Sequence, residues 1–305
     1  MKKVHVLLST YNGQNYIAQQ LDSILNQQGV ILTCLIRDDG STDNTLSIIY
    51  KYLEKYENIT LISEQNIGYK ASFRKLVELA SDEYDYYAFS DQDDVWEIDK
   101  LKNAIELIEK NMLNKPDMPV LYYSNCTLVN RDLSCLGLLH KNTNFIPNSK
   151  LQALVQGYVH GCTMVFSKSA KKEICKYTPK NEYAHDFWIP LVLLFIGHII
   201  YDDNSYILYR QHDSNAFGGK SPFKKVIRNR LSQFSKGNFY SRLIIDLLEG
   251  YSDFISPNDQ LLLNHILRYR KSLITKLRLI INKDLRRNTL KGTMFLKLSI
   301  LLSKF

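Results

Sequence analysis

The sequence predicts an α/β fold: a Rossmann-like, mostly parallel central sheet followed by a basic helical region. Three observations predict it. Strand-like and helix-like segments alternate through the first half of the chain. Two acidic clusters, Asp38-Asp39-Gly40-Ser41 and Asp91-Gln92-Asp93-Asp94, each follow directly on an apolar run. Charge is also unevenly spread. From Lys220 onward 18 Lys and Arg face 5 Asp and Glu, a surplus of 13 that exceeds the net +8 and leaves the preceding residues at −5.

Val4–Ser9 reads as the first strand, and its short apolar stretch behind a basic start argues against a secretory signal. Tyr16–Leu25 follows as a helix with Ile17, Leu21, Ile24 and Leu25 on one face. Leu32–Arg37 is the second strand, Thr42–Tyr56 a helix, Ile59–Ser63 the third strand and Tyr69–Ala80 a helix. Tyr86–Ser90 is the fourth strand and ends at the second acidic cluster. Such a succession implies parallel strands joined by helical crossovers. Helix Asp99–Lys110, strands near Val120–Asn125 and Thr163–Ser167, helix Asp186–Ile196 and a strand-rich His198–Arg210 come next. Asp213–Gly219 reads as a loop closing a first unit, 1–219. The basic unit 220–305 shows helical spacing near Phe223–Gln233, Phe239–Ile255, Gln260–Ile281 and Thr289–Phe305.

At 305 residues, 45% hydrophobic and 23% charged, the chain has the composition of a folded protein with a full core. Five cysteines without a CxxC pair argue against a disulfide framework and a zinc site, and fit a reducing, cytoplasmic location. The longest apolar run, Ile189 to Gly197, is too short to span a bilayer.

Ligands of open α/β sheets bind just beyond the carboxyl ends of the strands. Carboxylates gathered there repel one another unless a cation or hydrogen-bond donors compensate them. The spacing Asp91-x-Asp93 suits a hard divalent ion that takes further ligands from a phosphate. A carboxylate at the end of an earlier strand can accept hydrogen bonds from a bound base or sugar. Together these point to an enzyme that holds a nucleotide diphosphate through a metal. Helix capping explains parts of the same pattern, because Asn12-Gly13 is a good turn and acids favour a helix start.

Ser9-Thr10-Tyr11-Asn12-Gly13, Asp38-Asp39-Gly40-Ser41-Thr42-Asp43 and Asp91-Gln92-Asp93-Asp94, in that order, resemble the N-terminal signature of family 2 glycosyltransferases with the GT-A fold. The resemblance covers roughly residues 3–215. Phe89–Trp96, His185-Asp186-Phe187-Trp188 and Tyr209-Arg210-Gln211-His212 resemble bacterial rhamnosyltransferase-type members more narrowly. It implies an inverting transfer of a hexose, L-rhamnose from dTDP-rhamnose, to a saccharide acceptor that is lipid-linked, in bacterial surface polysaccharide synthesis. By the same resemblance Thr10, Tyr11, Asn12, Asp39, Asn66, Lys70, Asp91 and Gln92 bind the nucleotide sugar. Asp93, with Asp91 and His212, holds Mg2+ or Mn2+, and Asp186 is the general base. A plain helix start explains Asn66–Lys70 equally well, and Gly157–Gly161 is either a bend or a close backbone approach to the sugar.

The last segment places Leu290, Met294, Leu298, Leu301, Leu302 and Phe305 on one stripe, with Lys291, Lys297 and Lys304 elsewhere. A basic amphipathic helix of this kind suits an anionic membrane surface, which implies a peripheral location at the inner face of the cell membrane. Packing of the stripe on the catalytic unit is the alternative. No nucleic-acid-binding module is recognised. Two other functions fit parts of the chain. A haloacid-dehalogenase-like phosphatase would use Asp91 as nucleophile with Asp202-Asp203 as a late metal pair; a catalytically idle subunit would bind a sugar nucleotide without turnover.

Overall fold

The computed structural model describes residues 1–115, 117–141, 147, 149–212 and 237–305. The Asp213–Gly219 loop, the Phe223–Gln233 helix and the 219/220 boundary expected from the sequence lie outside them. Among the described residues nine strands form one sheet: β1 (Lys2–Thr10), β2 (Val30–Asp38), β3 (Ile59–Ser63), β4 (Tyr86–Ser90), β5 (Val95–Trp96), β6 (Val120–Val129), β7 (Cys135–Leu138), β8 (Val165–Ser167) and β9 (His198–Arg210). Their order is β3-β2-β1-β4-β8-β6-β9-β5, with β7 beside β6. β3, β2, β1 and β4 run parallel, as does the β6–β9 pair, while β8, β5 and β7 are antiparallel to their neighbours.

Strand order reverses at β1, which has β2 on one side and β4 on the other. The carboxyl ends of β1 and β4 therefore flank a crevice of the kind that binds ligands in open sheets. Thr10 pairs in register with Asp38, and Leu8 with Ser90, so the three strand-end motifs meet there.

Eleven helices are described: α1 (Ile17–Leu25), α2 (Thr45–Lys55), α3 (Tyr69–Leu79), α4 (Lys100–Met112), α5 (Lys150–Val155), α6 (Lys168–Cys175), α7 (His185–Ile196), α8 (Phe239–Tyr251), α9 (Pro257–Leu267), α10 (Leu273–Ile281) and α11 (Leu290–Leu301). Strand side chains alternate between two cores, as the pleat requires. On one face Val4, Val6 and Leu8 pack with Ile17, Leu21, Ile49 and Leu101. On the other, Leu7, Tyr87 and Phe89 pack with Phe73, Leu191 and Trp188. Leu243, Leu247, Leu263, Ile266, Leu296 and Ile300 join that second core, so the C-terminal helices bury their apolar sides against the sheet unit.

The single helix expected over Gln260–Ile281 is broken. A 3₁₀ turn at Arg268–Lys271 separates α9 from α10, and Ser272 caps the new helix by accepting from the Thr275 N–H. The expected strand from Thr163 begins only at Val165, because Gly161–Thr163 is a 3₁₀ turn. Phe305 leaves the predicted stripe. α11 ends at Leu301, Ser303 turns through φ 57°, and Phe305 is buried between Tyr240 and Tyr269. Leu290, Met294, Leu298, Leu301 and Leu302 stay exposed, as do Leu273, Ile274, Leu277 and Ile281 of α10. The two helices lie side by side and antiparallel. Lys297 Nζ donates to the carbonyls of Leu279 and Asn282, and Lys276 Nζ to that of Leu301. Among the described residues no helix is long and apolar enough to cross a membrane.

Asp246 of α8 fastens the C-terminal helices to the segment entering α7. Its carboxylate accepts from the Tyr177 hydroxyl at 2.9 Å, the Lys180 N–H at 2.9 Å, the Asn181 amide at 2.8 Å and the Tyr183 hydroxyl at 2.8 Å. Burial pushes this carboxyl up, but the hydrogen bonds outweigh it and hold it below its ordinary 3.8. Asp246→Ala should lower unfolding stability by about 3 kcal/mol in urea, since four donors lose a buried acceptor. A depressed folded-state pKa contributes stability that is present above the unfolded value and lost on acidification. Between about pH 5 and pH 3 the wild-type protein should therefore lose more stability than Asp246→Asn.

Candidate active site

The crevice opens into a cavity of about 940 Å³. Its walls come from the end of β1 (Thr10, Tyr11), the residue after β2 (Asp39), the start of α3 (Asn66, Tyr69), the β4 end (Asp91, Gln92, Asp93) and the first turn of α7 (Asp186). Eight residues expected at the site from sequence thus share one cavity: Thr10, Tyr11, Asp39, Asn66, Asp91, Gln92, Asp93 and Asp186. Asn12 and Lys70 do not line it. The Asn12 amide oxygen accepts from the Thr42 N–H, and Lys70 lies 3.9 Å from Glu182.

Asp39 owes its placement to a residue that sequence reasoning passed over. Arg37 is fully buried inside the apolar β2, where an unpaired charge is not tolerated. Its guanidinium donates to Asp39 Oδ1 at 2.6 Å, to the Ser72 hydroxyl at 3.1 Å and to Glu64 at 3.3 Å. The backbone N–H groups of Ile67 and Gly68 donate to Asp39 Oδ1 and Oδ2 at 2.8 and 2.9 Å. A charged residue inside an apolar strand was the available signal. Gln92 works as a clip: its amide oxygen accepts from the Thr10 hydroxyl and the Tyr11 N–H, and its NH2 donates to the Tyr11 carbonyl. These bonds fix the β1 end against the β4 end.

The acidic cluster is met by the far end of β9. His212 Nε2 lies 2.8 Å from Asp93 Oδ2, across 119 positions of sequence. Arg210, 2% exposed, donates through Nε to the Asp93 carbonyl at 2.8 Å and through its N–H to Asp94 Oδ1 at 3.2 Å. It also bonds Gln19 and the Arg131 carbonyl. Compensation is incomplete. Burial, then Asp93 and Asp186, push Asp91 up to about 8, and burial with the neighbouring acids drives Asp94 well above the carboxylate range. Asp94 Oδ2 is buried without a hydrogen-bond partner among the described residues.

The donor set fits a divalent ion such as Mg2+ or Mn2+. Two donors at about 2.1 Å from an octahedral ion and at right angles lie about 3 Å apart, close to the Asp93–His212 separation. Ligand atoms of Asp91, Asp94 and Cys162 also lie within 4.8 Å of one another. Burial, then Asp94 and Asp91, keep the Cys162 thiol protonated, so the carboxylates and the imidazole carry the fit.

Across the cavity, burial lifts Asp186 to about 6, partly countered by its own backbone hydrogen bond and by Lys70. His185 beside it is buried, held neutral by burial with its pKa near 3, and packed 3.9 Å centroid to centroid on Phe73. Gly161 makes room for it: a Cβ there would lie 2.1 Å from His185 Nε2. Pro190 inside α7 has no N–H to give the Asp186 carbonyl, so one bond of the helix ladder is missing at that residue.

An open α/β sheet with an acid-lined crevice at the β1/β4 switch and a carboxylate-bearing helix opposite is the GT-A fold of glycosyltransferases. A profile described as Glycosyl transferase family 2 matches residues 5–174, and the chain belongs to that family. It is 30% identical over 265 residues to a dTDP-rhamnosyl transferase, RfbG, of Shigella flexneri, covering 83% of this chain and 88% of that protein. It is 34% identical to the chondroitin synthase of Pasteurella multocida over 64% of this chain and 19% of that one. The fold is similar to S. aureus TarS residues 1–349 in complex with UDP: TM-score 0.57, 19% identity, 92% of this chain and 75% of that one. Family membership overturns the phosphatase alternative. Asp202, needed by that reading, instead accepts from Tyr122 and Asn204 and does not line the cavity.

Gly161→Ala should displace His185 and the adjoining Asp186. Turnover should fall at least about tenfold while nucleotide affinity, read by calorimetry, stays within about twofold.

Proposed function

We propose that the protein is an inverting glycosyltransferase that moves L-rhamnose from dTDP-rhamnose to a lipid-linked saccharide in bacterial surface polysaccharide synthesis. One observation carries the chemistry: Asp39, the Asp91–Asp93 pair and Asp186 face a single cavity. The similarity to a dTDP-rhamnosyl transferase over most of both chains supports the sugar.

Asp39 Oδ2 already accepts from Gly68 N–H and keeps a further lone pair, the acceptor that the ring N–H of thymine or uracil requires. Tyr11 is 46% exposed at the cavity and offers a ring for the base to stack on. Asp93 and His212, with Asp91, would hold a divalent ion. When bound, that ion supplies positive charge that stabilises the departing nucleoside diphosphate. Asp186 takes the proton from the acceptor hydroxyl. The freed oxygen forms a bond to the anomeric carbon while the bond from that carbon to the diphosphate breaks, and the diphosphate leaves with the electron pair. Inversion follows from this single displacement.

A peripheral seat on the membrane is part of the proposal. α10 exposes Leu273, Ile274, Leu277 and Ile281, the adjoining α11 exposes Leu290, Met294, Leu298 and Leu301, and Lys291 is exposed on α11 as well. Such a surface suits insertion at the headgroup level of an anionic bilayer.

Asp39→Ala should weaken binding of dTDP about tenfold or more, as read by calorimetry. Chelator, or Asp93→Ala, should each reduce transfer at least about 100-fold. Undiminished transfer under either condition refutes the metal role. A base must be unprotonated, so activity should fall with acidification through about pH 6, the Asp186 value, and level off above it. Asp186→Asn should abolish transfer and leave donor affinity unchanged. A panel of nucleotide sugars decides the donor, with a different preferred sugar refuting rhamnose.

A further inference from the structure

The cavity has two chemically opposite walls. The sheet side carries Asp39, Asp91 and Asp93, and α7 carries Asp186. The side built by the C-terminal helices carries two cations, Arg287 and Lys304, aromatic Phe239, Tyr240 and Phe295, and no acid among the described lining residues. On the proposed reading the nucleotide diphosphate is held at the first wall through a divalent ion, which leaves the Arg287 guanidinium to face a different anion.

Arg287 is placed by the backbone. Its N–H donates to Thr293 Oγ1 at 3.0 Å, and its carbonyl accepts from that hydroxyl at 3.1 Å. Gly292 leaves room for the side-chain stem, since a Cβ there would lie 3.3 and 3.4 Å from Arg287 Cβ and Cδ. Among the described residues no ion pair includes Arg287. α11 begins two residues beyond Thr289's predecessor Asn288, so its positive dipole end adds to the same wall. The helix borders the cavity through Gly292, Phe295, Leu296 and Ser299; Phe295 is 41% exposed, and Met294 and Leu298 are exposed apolar residues of the same helix.

We infer that this wall receives the phosphate linker of the acceptor. Arg287 and Lys304 meet its negative charge, the aromatic groups pack on the first units of the lipid, and the lipid continues along α11 to the membrane face. This rests on the proposed transfer to a lipid-linked saccharide and identifies the part of the acceptor that the C-terminal helices recognise. Arg suits the role because its planar guanidinium binds phosphate oxygens in pairs.

Farnesyl diphosphate is the probe, titrated by calorimetry into the full chain in chelator, which keeps metal-bound diphosphate out of the donor wall. Farnesol lacks the charge, and inorganic pyrophosphate lacks the lipid. Farnesyl diphosphate should bind at least about tenfold more tightly than either. Arg287→Ala and Lys304→Gln should each remove most of that advantage, and Arg287→Lys should restore part of it. Binding of dTDP with magnesium should stay within about twofold in all three variants, which also shows that they are folded. Equal binding of the probe by wild type and both neutral variants, with dTDP binding intact, overturns the inference. Pyrophosphate binding as tight as the probe also overturns it, because the site would then serve free phosphate. Failure of the wild-type protein to turn over any nucleotide sugar refutes the proposed function instead. Donor hydrolysis with no discrimination among the three probes removes the linker site alone.

Discussion

Carboxylates crowded at one sheet edge are the constraint around which this molecule is arranged. Asp91, Asp93 and Asp94 leave β4 within four residues, and Asp186 faces them across the cavity. Mutual repulsion in a partly dehydrated crevice would unfold that edge without donors aimed at it. β9 supplies them. It crosses beside β6 for thirteen residues and delivers Arg210 and His212 to the cluster from the opposite end of the domain. The cluster still lacks positive charge, as the raised Asp91 and the unpartnered Asp94 oxygen show. That deficit is what the proposed cation would offset.

Much of the fold was legible because its strands lie at the two-sided core. Their apolar runs are short and bounded, and α1, α3 and α4 carry apolar residues at helical spacing between them. The site was legible where a polar residue stood at a strand end without a local use, as Asp39 and Asp93 do. Other parts were not. β5 is two residues long and exists because β9 pairs with it, so no local pattern marks it. α5 and α6 are six and eight residues long, too short for periodicity to separate from a loop. The break between α9 and α10 leaves the apolar rhythm intact, and only the Ser272 cap records it.

Residue roles diverged from motif membership for the same reason. Gln92 and Asn12 sit within the motifs, yet their amides hold backbone in place, Gln92 at Tyr11 and Asn12 at Thr42. Arg37 sits outside any motif and does more to set Asp39 than the adjacent acid. Asp38 instead accepts from the Gly40 and Ser41 N–H groups and shapes the turn. A motif identifies where a ligand-binding edge is, whereas pairing identifies which side chain is left to face the ligand.

The alternatives of membrane contact and packing for the last helices do not exclude each other. α11 buries Leu296 and Ile300 in the shared core and presents Leu290, Met294 and Leu301 outward, which is possible because its apolar residues occupy more than one face. The consequence reaches the proposed base. α7 is almost wholly apolar and is enclosed by the sheet on one side and α8 on the other, so its first turn, with Asp186, can be no better placed than α8 is. Asp246 fixes α8 to the 177–183 segment that leads into that turn. Helices that face outward through α10 and α11 thus share one packed body with the residue proposed to take the acceptor's proton. The surface proposed to seat the molecule and the cavity proposed to perform the transfer are, in this arrangement, two sides of the same helical layer.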